Sequence, residues 1–357
     1  MLRMRTRHAE HDAYTKEYKK VGMQEMKRLK VGVIGLGWFG EKHCEVLSGL
    51  QQAELYALCT RTKDRLDEVA GRFGVERVFT DYRQMLALPE LDVVSVVTMW
   101  DQHVDPTLAA LAEGKHVFVE KPLASTVADC DRIVEAAKQA KGSLMVGHIC
   151  RFNPRYAAAK EEIASGRIGK VVSIYARRNL PRWITEGVLD KIGPIIGDGV
   201  HDVDLMLWYT GARIVTAYAQ TTRVRDLKHP DIGMAMYRFD SGAIAVCENI
   251  WALPQRSPMQ IDERMEITGT EGSISIHDTT PNFMVVDKDS VQYMDTTYWP
   301  SIHGLRSGAL REEWNYFLQC IQEGKQPDVI RPEESRSAVA ACLAAEESAA
   351  TGQVVHL

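Results

Sequence analysis

No two cysteines of this chain stand at the C-x-x-C spacing; its seven are scattered at 44, 59, 130, 150, 247, 320 and 342. An odd, dispersed set in a long chain reads as free thiols of a reducing compartment, so a cytoplasmic protein is expected. Long apolar runs are also lacking. Gly, Asp or His interrupts each one well short of a membrane span, so neither a transmembrane helix nor a membrane partner is expected. There is no long basic block, and the net charge is −5, which argues against nucleic acid as the main partner. The first 28 residues have Arg near the start but no apolar core segment, and they carry Glu10, Asp12 and Glu17. That composition fits neither a secretory signal nor a transit peptide. Residues 1–28 are read as an extension, flexible or helical, or as an arm that packs on a neighbouring subunit.

The 357 residues exceed what one hydrophobic core usually organises, so two domains are expected. From Leu29, short β-branched runs alternate with amphipathic stretches. LKVGVIGLG, ELYALCT, DVVSVVT, HVFVE and SLMVGH read as strands; Phe39–Leu50, Lys63–Phe73, Thr107–Glu113 and Val127–Ala140 read as helices. Nearly continuous apolar strands suit a parallel sheet covered on both faces, so residues 29–148 are predicted to form a doubly wound α/β domain. After His148 the strands alternate apolar and polar residues, as antiparallel strands with one wet face do. Residues 149–357 are therefore predicted to form an α+β domain with a large open, mainly antiparallel sheet. Helices are expected at Val200–Trp208, Ala309–Glu323 and Glu333–Ala350.

Gly35, Gly37 and Gly40 make G-x-G-x-x-G directly after the first strand and at the start of a helix. In that context the first glycine allows the tight turn, the second a close backbone approach to a pyrophosphate, and the third helix–strand packing. Trp38 and Phe39 lie between them and join the expected dinucleotide site. At the end of the second strand, where an acid usually holds a ribose 2′-hydroxyl, Thr60 and Arg61 stand instead. A cation there suits a 2′-phosphate, which favours NADP; if Arg61 only stacks on adenine, NAD binds as well.

GKHVFVEKP, GLGWFGEKH, GHICRFNP and GPIIGDGVHDVD together resemble the glucose–fructose oxidoreductase / inositol dehydrogenase / MocA (Gfo/Idh/MocA) family over nearly the whole chain after residue 28. The resemblance implies an N-terminal Rossmann domain and a C-terminal domain that binds substrate and oligomerises, as a homodimer or homotetramer. It also implies an NAD(P)-dependent dehydrogenase of a sugar, cyclic polyol or sugar derivative. Lys121 of Glu120-Lys121-Pro122, at the carboxyl edge of a parallel strand, becomes the proton-transfer residue; otherwise it is a surface lysine before a proline-started helix. A cis Pro122 is implied as well. His201 is implied as catalytic or substrate-orienting. The family's acid four positions before it is replaced by Gly197, with Asp198 one residue later. Asp198 either takes over that duty, binding substrate, or caps the helix.

Thr98, His103 and Glu120 are further expected cofactor contacts, although Trp100 replaces a small amide residue of the family pattern. Arg151 and Asn153 either reach substrate hydroxyls or make interdomain hydrogen bonds. Asp202 and Asp204 read mainly as structural. No metal is expected, because no second His or Cys stands near His201 and hydride transfer needs none. Arg177, Arg178, Arg182 and Trp183 either meet an anionic or glycosidic substituent or form an exposed loop. Rival functions are a sugar oxidoreductase that keeps its cofactor tightly bound, a lyase or epimerase using NAD transiently, and a nucleotide-sensing regulator without activity.

Overall fold

The computed structural model describes residues 27–188, 190–277 and 283–357; most of the predicted N-terminal extension lies outside them. The first part of the chain runs β1 (Leu29–Ile34), α1 (Trp38–Ser48), β2 (Ala53–Cys59), α2 (Lys63–Phe73), β3 (Arg77–Phe79), α3 (Tyr82–Leu86), β4 (Val93–Val96), α4 (Val104–Ala112), β5 (His116–Glu120), α5 (Val127–Gln139) and β6 (Leu144–Gly147). The strands form one parallel sheet in the order β3-β2-β1-β4-β5-β6, the doubly wound Rossmann arrangement. Every residue of β4 and β6 is buried, as strands covered on both faces require. β3 was not expected: its three residues, Arg77-Val78-Phe79, are too few to show a period.

The rest of the chain continues with α6 (Pro154–Ala164), β7 (Val171–Asn179), α7 (Arg182–Thr185), α8 (Pro194–Gly197), α9 (Gly199–Thr210), β8 (Ile214–Thr222), β9 (Ile232–Phe239), β10 (Ile244–Ile250), β11 (Asp262–Gly269) and β12 (Ser273–His277). The hairpins β13 (Met284–Val286) with β14 (Val291–Tyr293) and β15 (Ser301–Ile302) with β16 (Leu305–Arg306) follow, then α10 (Ala309–Gln322), α11 (Pro332–Thr351) and β17 (Val355–His356). The second sheet has the order β12-β11-β7-β10-β9-β8-β17. It is mixed rather than purely antiparallel, because β10 pairs parallel to β7, with Ile244 opposite Ser173. The stretch FMVVDKDSVQYM was expected to join it but forms the separate β13–β14 hairpin.

Residues of β9 alternate between buried and exposed, so one face of the second sheet is covered and the other is open. α9 and α11 pack on the covered face. The open face carries Val172, Tyr218, Met234, Met236 and Ile244. The two parts interlock: α10 sets the Trp314 ring on Phe118 of β5 at 4.5 Å between centroids, and Arg336 of α11 donates to Asp131 of α5 at 2.9 Å. The carboxyl edge of the parallel sheet therefore opens onto the start of α9.

Candidate active site

One cleft of about 1340 Å³ runs along this edge, and the glycine turn forms its nucleotide end. Gly35 has φ +94°, and a Cβ there would sit 2.5 Å from the carbonyl oxygen of Val97. A Cβ on Gly40 would sit 1.9 Å from the carbonyl oxygen of Gly35. Only glycine fits either position. Gly37, the N-cap of α1, faces open space, leaving backbone N–H groups at the positive end of the helix clear for a phosphate. The residues present thus fit a dinucleotide. Trp38, Phe39, Thr60, Arg61, Thr98, Glu120 and Lys121 all line the cleft, as expected. Arg83 and Arg132 line it too; nothing in their sequence context marked them.

His103 does not line the cleft. It is 1% exposed, and its ring nitrogens lie 2.8 Å from the Pro122 carbonyl and 3.1 Å from the Thr98 carbonyl. Burial holds its pKa below the usual imidazole range. Instead of touching a cofactor, it ties the turn after β4 to the cis Lys121–Pro122 bond after β5. Glu120 is buried beneath the same bond. Its Oε2 accepts from the Lys121 N–H at 3.2 Å, and its Oε1 lies 3.3 Å from His43 Nε2.

At the other end, Lys121 Nζ donates to the Gly197 carbonyl at 2.9 Å and lies 3.8 Å from Asp198 Oδ1. Asp198 makes no capping bond to α9; its Oδ2 accepts from the Trp251 indole N–H at 2.8 Å. A side chain at 197 has no room, since a Cβ on Gly197 would lie 2.5 Å from Trp251 Cη2. Trp251 fills that place, and the Asp198 carboxylate beside it faces Lys121. His201 sits in the first turn of α9, lines the cleft and is 8% exposed. Its Nδ1 has no hydrogen-bond partner among the described residues. Burial, then the charges of Lys121 and Arg178, hold its pKa well below the usual range, so it is neutral at neutral pH.

Arg151 and Asn153 are not substrate contacts. Arg151 is buried, with Nε and Nη2 on Asp204 at 2.8 and 2.7 Å and Nη1 on Glu334 at 2.8 Å. A guanidinium taken out of water needs such pairing, and four of its five N–H groups are engaged here, Nη1 also donating to the Val329 carbonyl. Asn153 is fully buried and caps α6 through Oδ1, which accepts from Arg155 N–H at 3.2 Å. Arg151 thus ties the junction to α9 and α11, whereas Asn153 caps its own helix and its Nδ2 has no partner among the described residues. Asp202 is structural as expected: it pairs with Arg178 at 3.0 Å, and burial pushes its carboxyl up to about 6 despite that partner. Arg178 also binds Glu263 at 2.5 Å, Arg177 binds Asp262 at 2.9 Å, and Arg182 Nε reaches the Ala252 carbonyl. Beside these arginines, the neutral Trp183 stands open in the cleft, 44% exposed. Among the described residues, no three of His, Cys, Asp and Glu are grouped to hold a metal ion.

A doubly wound sheet with a glycine cradle, joined to a second sheet that supplies a polar cluster at the carboxyl edge, defines a dinucleotide-binding two-domain oxidoreductase. Residues 29–148 match the oxidoreductase family with an NAD-binding Rossmann fold, and residues 156–275 match the GFO/IDH/MocA C-terminal domain. The chain belongs to the Gfo/Idh/MocA family. It is 28% identical over 327 residues to a myo-inositol 2-dehydrogenase of Thermotoga maritima, covering 90% of this chain and 96% of that protein. It is 32% identical over 257 residues to an inositol 2-dehydrogenase of Saccharopolyspora erythraea, covering 70% and 73% respectively. The crystal structure of scyllo-inositol dehydrogenase from Lactobacillus casei, with bound NAD(H) and scyllo-inositol, has the same fold. It superposes with a TM-score of 0.79 at 23% identity, over 92% of this chain and 99% of that one.

Proposed function

We propose that the protein is an NAD(P)-dependent dehydrogenase of a secondary alcohol on a cyclic polyol, sugar or sugar derivative. Residues 29–148 hold the cofactor; residues 149–357 hold the substrate and the subunit contacts. The observation that carries this reading is the convergence of Lys121 Nζ, the Asp198 carboxylate and the His201 ring on one cleft with the glycine turn. The similarity to inositol dehydrogenases supports the substrate class. A bound nicotinamide dinucleotide supplies the hydride chemistry. Lys121 takes the alcohol proton through Nζ, and in the reverse direction returns it to the alkoxide oxygen. It accepts that proton as the neutral amine; the ammonium so formed is held by Asp198, 3.8 Å away, and Trp251 keeps Asp198 in place. Neutral His201 orients the same oxygen.

NADP is the favoured cofactor, with NAD possible: residues 60 and 61 offer no carboxylate, and Arg61 and Arg83 both line the cleft. The protein is placed in the cytoplasm, consistent with seven cysteines that are all free and buried. No described helix is long and apolar enough to cross a membrane. The open apolar face of the second sheet is taken as the contact of a homodimer or homotetramer, which light scattering at micromolar concentration checks. The catalytic reading is tested by offering inositols and sugars with NAD and with NADP and following reduced-cofactor absorbance. Turnover of at least one cyclic polyol or sugar, with the lower KM for NADP, is expected. No turnover with either cofactor would reject the dehydrogenase; a lower KM for NAD would reject only the cofactor preference.

A further inference from the structure

Five of the seven tryptophans line this one cleft: Trp38, Trp100, Trp183, Trp251 and Trp299. Trp251 is engaged in holding Asp198, and Trp100 belongs to the turn after β4 at the nucleotide end. Trp183 and Trp299 have no such duty, and Trp38 stands in the glycine turn at the start of α1. Trp38 is 63% exposed and Trp183 44%. Trp38 and Trp299 meet edge-on at 5.5 Å, and Phe39 packs against both at 5.7 and 5.6 Å. That aromatic group joins the start of α1 to the segment before β15, so it spans both parts of the chain. Trp183 on α7 is followed by Ile184, Val188 and Ile192, all of which line the cleft.

Polar capacity near Lys121 is small by comparison. Thr185 Oγ1 is used on the Trp251 carbonyl at 3.1 Å, and the Tyr298 hydroxyl on Glu263 at 2.7 Å. Arg178 is spent on Asp202 and Glu263. Lys121, Asp198, His201 and Gln260 remain. A ring with a hydroxyl on every carbon would bury several without partners there, and an unpaired buried hydroxyl costs affinity. Exposed indoles on an outward patch would point to a protein partner, but these line a concave site continuous with the catalytic lysine.

We infer that the substrate is an aryl glycoside: a sugar whose ring secondary alcohol lies at Lys121 and whose planar apolar aglycone lies on the indoles beyond the glycine turn, Trp183 and Trp299. This rests on the dehydrogenase reading and narrows it. Apolar C–H faces of the sugar and the aromatic ring both gain from stacking on indole, while fewer free hydroxyls than on an inositol need partners.

The test compares phenyl with methyl β-glycosides of glucose, galactose and xylose, alongside myo- and scyllo-inositol, with saturating NADP and NAD. For the sugar accepted, kcat/KM of the phenyl glycoside should exceed that of the methyl glycoside and of both inositols by about tenfold or more, mostly through KM. Trp183→Ala should raise KM for the phenyl glycoside about tenfold and shrink the phenyl-over-methyl preference, and Trp183→Phe should restore most of it. Because Trp183 is half-exposed, neither variant removes a core side chain. Methyl glycosides or inositols used as well as phenyl glycosides would overturn the aryl assignment and leave the dehydrogenase intact. A phenyl preference unchanged by Trp183→Ala would overturn the placement of the aglycone. No turnover of any alcohol would overturn the dehydrogenase reading and this one with it.

Discussion

The two ends of the cleft are built from different material. The nucleotide end is made by backbone: a positive φ at Gly35, a close approach at Gly40 and open N–H groups at the start of α1. All of it lies within six residues. The lysine end is made by side chains from segments far apart, since Lys121 meets a carbonyl 76 residues on and Asp198 meets Trp251 53 residues on. Beneath it lies a layer of paired charge, Arg178 with Asp202 and Glu263, and Arg151 with Asp204 and Glu334. Removing one partner of such a buried pair typically costs about 3–5 kcal/mol, so this layer fixes the start of α9. A backbone site can be copied between proteins as a short motif. A side-chain site can be retuned one residue at a time.

If the two ends are independent in this way, damage to one should leave the other working. Gly35→Ala strains the turn against Val97 and should abolish measurable cofactor binding by calorimetry; binding within threefold of the parent would show that the cradle tolerates a side chain. Trp251→Phe removes only the indole N–H on Asp198 and should lower kcat about tenfold with cofactor Kd unchanged, as loss of one hydrogen bond to a charged group implies. A changed cofactor Kd would mean the ends are coupled. The smallest effect concerns pH. His201 has its pKa depressed, so it stays neutral as pH falls through the ordinary imidazole value of about 6.5 and gains a proton only further down. The kcat/KM profile between pH 5.5 and 8 should therefore show no inflection near 6.5 that disappears in His201→Asn. Such an inflection would mean that His201 is solvated in the working enzyme.

The same contrast explains what could be read beforehand. The bounds of α2 follow its amphipathic period over Lys63–Phe73, and Gly74 ends it at φ +67°. β3 and β17 carry no period at three and two residues. The parallel pairing of β7 with β10 depends on strands brought together over a long connection, which alternation cannot reveal. At the site, Lys121 and His201 were marked by motif. Trp251 and Trp299 were not, because an indole in a strand or loop looks the same whether it packs in a core or lines a cleft; Trp183 was marked only as part of an arginine-rich stretch. Arg151 was misplaced for a related reason. A cation at a domain junction suits a polar ligand or a buried carboxylate equally, and its partners lie 53 and 183 residues away.

The central claim is that Lys121 moves the proton while the glycine turn independently holds the cofactor. Its most direct test measures Lys121→Ala twice, for turnover at saturating substrate and for cofactor Kd by titration. Turnover should fall by about 10²–10⁴, the worth of one positioned acid–base group, with Kd within a few-fold of the parent. Near-full turnover in Lys121→Ala would contradict the assignment outright.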